Sequence, residues 1–148
     1  MEKKVNFYSV IIGTELLNGR RSDAHFSFLN TQLLQRGWEQ KASFVIEDDP
    51  KLMFDIFTLI KADPNSVMFC FGGIGSTPDD YTRQTAARAF TDYKMEFHEE
   101  AKQRILNQFK EEAYPHRVNM AYLPINAKLL TNVVNNVAGF YLEDRFFF

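Results

Sequence analysis

Cysteine is nearly absent: Cys70 is the single one among 148 residues. No internal disulfide can form, and a Cys-rich zinc site is excluded. No apolar run nears the ~20 residues that a membrane helix needs. The longest, Phe7–Ile12 and Val67–Phe71, have strand length. The opening MEKKVNFYS holds two lysines but no apolar stretch ahead of a small-residue cleavage site, so no signal peptide is visible. An excess of one charge is missing too: 17 Lys and Arg stand against 19 Asp and Glu, a net −2. That balance leaves no broad electrostatic footprint for nucleic acid. The chain is expected to be cytoplasmic and soluble, with neither a nucleic-acid nor a membrane partner. Internal repeats, low-complexity tracts and linkers are lacking as well, which predicts one domain over residues 1–148.

Aromatic residues are abundant, with 15 Phe, 6 Tyr and 1 Trp. They provide bulk for a core and for an interface, so a homo-oligomer, dimer or trimer, is expected. Val5–Ile12 reads as a buried strand ending at Gly13. After a loop, Asp23 can cap a helix whose apolar positions Phe26, Leu29, Leu33 and Leu34 share one face, with Gly37 just past its end. A second strand lies within Trp38–Ile46 and is best supported at Ser43–Ile46. Asp49-Pro50 then opens a helix running to Lys61. Val67–Phe71 is continuous rather than alternating, as in a strand covered on both faces. The order β-α-β-α-β implies a parallel sheet wrapped by helices.

Beyond this, a helix through Ala86, Ala87 and Phe90 is expected, then a longer polar helix over Glu96–Ala113. Pro115 and Pro124 bracket a connection containing RVNMAYLP. Apolar runs at Lys128–Asn132, Gly139–Leu142 and Arg145–Phe148 follow, the last two suggesting a C-terminal β-hairpin around Glu143-Asp144.

The segment after the third strand, Gly72-Gly73-Ile74-Gly75-Ser76-Thr77-Pro78-Asp79-Asp80, sits where open α/β sheets bind ligands. Its glycines let the backbone approach a ligand closely, and consecutive N–H groups there make a phosphate cradle. It is not a Walker A loop, since no Lys-Ser or Lys-Thr follows the glycines. Pro78 stands where a Gly-x-Gly-x-x-Gly fingerprint needs its last glycine. Asp79 and Asp80 would repel a phosphate unless a cation lies between, and Mg²⁺ takes one or two carboxylates plus phosphate oxygens and water. Asp80 is the expected metal-binding and catalytic carboxylate, with Asp79 assisting. Gly72, Gly73, Gly75, Ser76, Thr77 and Thr82 are the expected phosphate contacts, and Thr14 and Glu15 face the same pocket from the loop after the first strand. A bare strand-to-helix turn, with Thr77 and one Asp capping the helix, is the alternative. Asp48 reads as part of a helix start. Ser22, Asp23 and His25 lie too close in sequence for a catalytic triad. The three histidines lack metal spacing, and Cys70 mid-strand is a buried structural thiol.

Two stretches in order, GTELLNGRRSDA at 13–24 and GGIGSTPDDYTRQT at 72–85, resemble the molybdopterin-binding domains of molybdenum-cofactor biosynthesis (MoaB/Mog-like). RVNMAYLPINAKLL at 117–130 and GFYLEDRFFF at 139–148 resemble the branch formed by the N-terminal domain of the competence/damage-inducible protein CinA. The resemblance implies a three-layer α/β/α sandwich with a mostly parallel central sheet, and a site for a phosphorylated pterin or nucleotide between the two loops. It implies Mg²⁺ as cofactor. In one branch the reaction is adenylyl transfer to molybdopterin; in the CinA branch it is hydrolysis of nucleotide pyrophosphates such as ADP-ribose. A domain that binds without turnover is the remaining alternative. His25 stands where the CinA branch commonly has Asn, and Ser76 where it has Pro. That branch continues with a Pro-Gly-rich loop, so a chain stopping on Phe146-Phe147-Phe148 is expected to be truncated at its C-terminus.

Overall fold

The strand nearest the N-terminus, β1 (Asn6–Ile12), is buried along almost its whole length because it lies between two parallel neighbours. The computed structural model describes residues 3–73, 80–132, 134 and 137–148. After β1 come a single helical turn α1 (Thr14–Leu17), helix α2 (His25–Leu34), β2 (Gln40–Ile46), α3 (Pro50–Ala62), β3 (Ser66–Phe71) and α4 (Thr82–Phe90). The helix starts follow the sequence: the Asp23 carboxylate accepts from the N–H of His25 and Phe26 at 2.8 and 3.0 Å, and Asp49 accepts from Lys51 N–H at 3.0 Å ahead of Pro50. Gly37, just past α2, has φ +75°, the left-handed turn that its position anticipated.

The second half departs from expectation. In place of one helix over 96–113, the chain forms β4 (Met95–Phe97), α5 (Glu99–Phe109) and a 3₁₀ turn at Lys110–Ala113. Met95–Phe97 pairs antiparallel with β5 (Tyr122–Pro124), reached through a second 3₁₀ turn at Arg117–Ala121. A strand partner that is distant in sequence thus captured residues whose local pattern reads as helix. The next strand, β6, is shorter than expected and covers Lys128–Leu130. β7 (Gly139–Leu142) and β8 (Phe146–Phe147) form the expected hairpin. Its turn residues Glu143 and Asp144 both have positive φ, 54° and 53°, and with Arg145, whose N–H donates to the Leu142 carbonyl at 3.0 Å, they make a three-residue loop between the paired Leu142 and Phe146.

The main sheet has the order β2-β1-β3-β8-β7-β6, with β2, β1, β3 and β8 mutually parallel. On one face, Val10, Ile12, Met68, Phe140, Phe146 and Phe148 pack against Met53, Phe57 and Ile60 of α3 and Ala86 and Phe90 of α4. On the other, Phe7, Val67, Phe69 and Phe71 meet Leu29 and Leu33 of α2. These are the three layers. At the N-terminal ends of the strands, Asp63 accepts from Tyr8 O–H (2.8 Å) and Asn6 Nδ2 (2.9 Å), and Arg145 donates to the carbonyls of Asp63 and Ser66 at 3.0 Å each. No helix among the described residues is long and apolar enough to cross a membrane.

Candidate functional site

The parallel pairing of β1 with β3 brings Ile11 opposite Phe71, so the two strands end side by side. From there the chain leaves β1 toward α2 on one face, and leaves β3 toward α4 on the other. Such a divergence opens a crevice at the carboxyl ends of the strands, the usual ligand position in open α/β sheets. Gly72 and Gly73 stand at that end of β3, and Gly13, Thr14 and Glu15 at that end of β1.

Gly72 and Gly73 have φ +98° and +68°. A Cβ on Gly72 would fall 2.4 Å from the Ile12 carbonyl oxygen, and one on Gly73 would fall 2.4 Å from Thr82 Oγ1 and 3.6 Å from Asp48 Oδ1. Only glycine meets both demands, a left-handed backbone and no side-chain volume. Thr82 at the start of α4 is fully buried, and its hydroxyl donates to the Gly72 carbonyl at 3.2 Å. It therefore positions the loop backbone. Thr14 Oγ1 accepts from Asp48 N–H at 3.2 Å, tying the loop after β1 to the loop after β2. Half-buried Glu15 folds back, its Oε1 3.0 Å from the Cβ direction of Gly13.

Asp80, half-buried ahead of α4, acts electrostatically on Arg83. Arg83 is 4% exposed and donates to the carbonyls of Asn119 and Tyr122, the second at 2.8 Å. Burial pushes its pKa below the usual value, and the Asp80 carboxylate opposes that shift. The guanidinium thus ties the site helix to the β4–β5 unit. Gly75, Ser76, Thr77 and Asp79 lie outside the described residues. The sequence-derived residues Gly72, Gly73, Thr82, Thr14 and Glu15 do converge on one edge, with Asp80 at the start of the same helix as Thr82.

Three participants escaped the sequence reading. Asp48 Oδ1 lies 3.6 Å from where a Cβ on Gly73 would stand; the signal was two consecutive acids where Asp49 alone suffices as a cap. Arg83 gave no signal, since an exposed helical arginine looks the same in sequence. His25 stands out in the sequence as a departure from the CinA branch, not as a member of the site. Its ring stacks on Phe71, centroids 4.8 Å apart, with Nδ1 2.9 Å from Asp23 Oδ1. With Gly72, Leu130 and Phe147 it lines a cavity of about 280 Å³. Burial tends to raise the Asp23 pKa, but the N–H groups of Phe26 and His25 and the imidazole hold it below the ordinary value. Burial pushes the Cys70 thiol far up, so it stays an inert core group.

Among the described residues no three acidic, imidazole or thiol groups cluster to hold a metal by themselves.

The profile of a family described as "Probable molybdopterin binding domain" matches residues 9–143. A CinA-like protein of Citrifermentans bemidjiense is 31% identical over 135 residues, 89% of this chain and 32% of its own length. One from Syntrophotalea carbinolica is 32% identical over 143 residues, 93% of this chain and 34% of its own. The chain spans about a third of the length of such curated relatives. Among solved structures, CinA of Thermoplasma acidophilum, of unknown function, superposes with TM-score 0.83 at 23% identity, covering 96% of this chain and 85% of that one. The molybdopterin biosynthesis enzyme MoaB of Thermus thermophilus gives 0.55 at 12%, covering 97% and 79%. These superpositions establish the shared fold.

Proposed function

Because the chain belongs to the molybdopterin-binding domain family, we propose that the crevice between β1 and β3 binds a phosphorylated pterin or nucleotide and hydrolyses its pyrophosphate, with ADP-ribose-like dinucleotides as the substrate class. The observation that carries this reading is the pair of left-handed glycines, Gly72 and Gly73, packed without room for a Cβ at the point where the chain diverges. Consecutive amides held in such a turn present N–H donors to an anion.

The proposed roles rest on the described geometry and, for Gly75, Ser76, Thr77 and Asp79, on the sequence motif alone. Gly72 and Gly73 offer backbone N–H groups to phosphate oxygens, and the sequence adds Gly75, Ser76 and Thr77 as further candidate contacts. Thr82 holds the loop through the Gly72 carbonyl. Thr14 fixes the opposite wall through Asp48 N–H, and Glu15 stands beside it. Asp80 would hold Mg²⁺ jointly with the ligand's phosphate oxygens, and the bound ion would supply charge neutralisation as negative charge builds on the phosphoryl oxygens. Water attacks one phosphorus, the bridging P–O bond breaks, and its electron pair leaves with the departing phosphate. The water proton passes to a carboxylate, for which the sequence offers Asp79.

The test is turnover and binding of ADP-ribose, related dinucleotides and a pterin phosphate, the last with and without ATP, in the presence and absence of Mg²⁺, in wild type and Asp80→Asn. Mg²⁺-dependent release of phosphate monoesters, lost in the variant, supports hydrolysis. Nucleotide joined to the pterin phosphate, with release of pyrophosphate from ATP, assigns adenylyl transfer instead. Binding without turnover leaves a binding domain. If no phosphorylated ligand binds under any condition, the proposal fails.

A further inference from the structure

The cavity beside His25 differs in chemistry from the glycine turn that adjoins it. Gly72 belongs to both, standing at the rim of the cavity and at the head of the turn. The broad walls are apolar, with Phe71 from β3, Leu130 from β6 and Phe148 beyond β8. A phosphate moved between such walls would lose its hydration without a compensating partner. At about 280 Å³ the cavity falls just short of the ~300–1,000 Å³ of pockets that enclose drug-sized ligands. It suits a single ring system and not a whole dinucleotide. A ligand anchored by phosphate at Gly72 and Gly73 therefore has its uncharged ring portion beside a cavity of matching size.

Among the described residues, one side chain bearing nitrogen or oxygen lines this space, His25. Its ring lies against Phe71 with centroids 4.8 Å apart and planes 30° from parallel, which holds the ring plane. Nδ1 is 2.9 Å from Asp23 Oδ1, which holds the ring's rotation. Asp23 already accepts from the N–H groups of His25 and Phe26 at 2.8 and 3.0 Å, so the cap of α2 is complete without the imidazole. An ionised carboxylate only accepts, so the hydrogen between the two side chains sits on Nδ1. In the neutral imidazole Nε2 is then a bare acceptor.

We propose that His25 Nε2 selects ligands by their ring: the cavity takes a flat heterocycle whose exocyclic amino group donates to that nitrogen. The inference rests on the phosphate-binding reading of the glycine turn and adds to it a choice among phosphorylated ligands. Adenine and the pterin ring both carry such an amino group. Hypoxanthine has a carbonyl oxygen where adenine has its amino group, which sets acceptor against acceptor. A ring plane held by Phe71 and a tautomer held by Asp23 fix the acceptor before the ligand arrives, so recognition carries little ordering cost.

The test is isothermal titration with inorganic pyrophosphate, adenosine monophosphate, inosine monophosphate and a pterin monophosphate, all with Mg²⁺. Wild type is expected to bind adenosine monophosphate about tenfold more tightly than inosine monophosphate. The pterin monophosphate should exceed inosine monophosphate too, and the tighter of the two amino-bearing ligands names the ring. His25→Phe keeps a ring on Phe71 but offers no acceptor, so the adenosine-to-inosine ratio should fall to about one. His25→Gln, whose amide oxygen accepts, should keep part of it. Leu130→Trp, which fills the cavity, should lower affinity for adenosine monophosphate relative to pyrophosphate about tenfold. Circular dichroism of each variant should match wild type. Without ligand, nitrogen NMR at pH 8 should show His25 protonated at Nδ1 and bare at Nε2; the opposite tautomer would overturn the proposal. So would equal affinity of wild type for the adenosine and inosine monophosphates, or a ratio that survives His25→Phe. Pyrophosphate binding alongside either of those results leaves the phosphate cradle standing. No binding by any of the four ligands overturns the cradle and this inference together.

Discussion

Gly72→Ala tests whether the end of β3 approaches β1 as closely as the site requires. Two costs apply at this position. An alanine held at φ +98° pays about 1–2 kcal/mol for the left-handed backbone. Its Cβ would also stand 2.4 Å from the Ile12 carbonyl oxygen, a backbone atom with no rotamer to move away. The strands must part there, which strains the hydrogen bond from Thr82 to Gly72 and adds about 1–2 kcal/mol. A loss of about 3 kcal/mol is expected. Gly19→Ala supplies the reference, because Gly19 has φ +80° and nothing lies within 4 Å of its added Cβ; only the backbone cost, about 1 kcal/mol, should appear. Urea unfolding of both variants, with Tm as a second readout at about 3–4 °C per kcal/mol for a domain of this size, measures the difference. If the two losses agree within about 0.5 kcal/mol, the close approach is wrong, and the phosphate cradle built on it goes too.

Gly73→Ala should abolish binding of a phosphorylated ligand by isothermal titration while keeping the circular dichroism of the fold, because the added methyl displaces Thr82 Oγ1 at the crevice itself. Arg83→Met should cost on the order of 3 kcal/mol by leaving the carbonyls of Asn119 and Tyr122 without their buried donor. Hydrogen exchange should then accelerate over 117–124 and not in β1. The Asp63 carboxyl is held at about 2, first by the Tyr8 hydroxyl, then by Asn65 N–H and Asn6. Its stabilisation should therefore be complete above about pH 4, where the unfolded carboxylate is also ionised, and should be lost as pH falls from about 4 toward 2. A Tm-versus-pH curve for Asp63→Asn should flatten in that window; an unchanged slope would refute the linkage.

The first half of the chain was legible because its signals are local. Asp23, Asp49-Pro50 and Gly37 mark helix ends by their own hydrogen-bonding and dihedral preferences, and Val67–Phe71 announces a strand by composition, though only Met68 and Cys70 of it are buried while Val67, Phe69 and Phe71 are half-buried. The segment 95–113 was not legible, because β4 exists only through its pairing with Tyr122–Pro124. The position of the glycine loop could be read from strand order. That Thr82 turns its hydroxyl to Gly72 while Asp48 lies beside Gly73 could not, since those residues meet only across the sheet edge.

Apolar periodicity, capping residues and glycine placement, all encoded within a few residues, determined by themselves that this chain forms alternating strands and helices with a backbone-lined turn after the third strand. Tertiary structure alone decided the order β2-β1-β3-β8-β7-β6 and the burial of Arg83. Those features depend on which distant surfaces exclude water from one another, and hydrophobic burial carries no directional code in the local sequence.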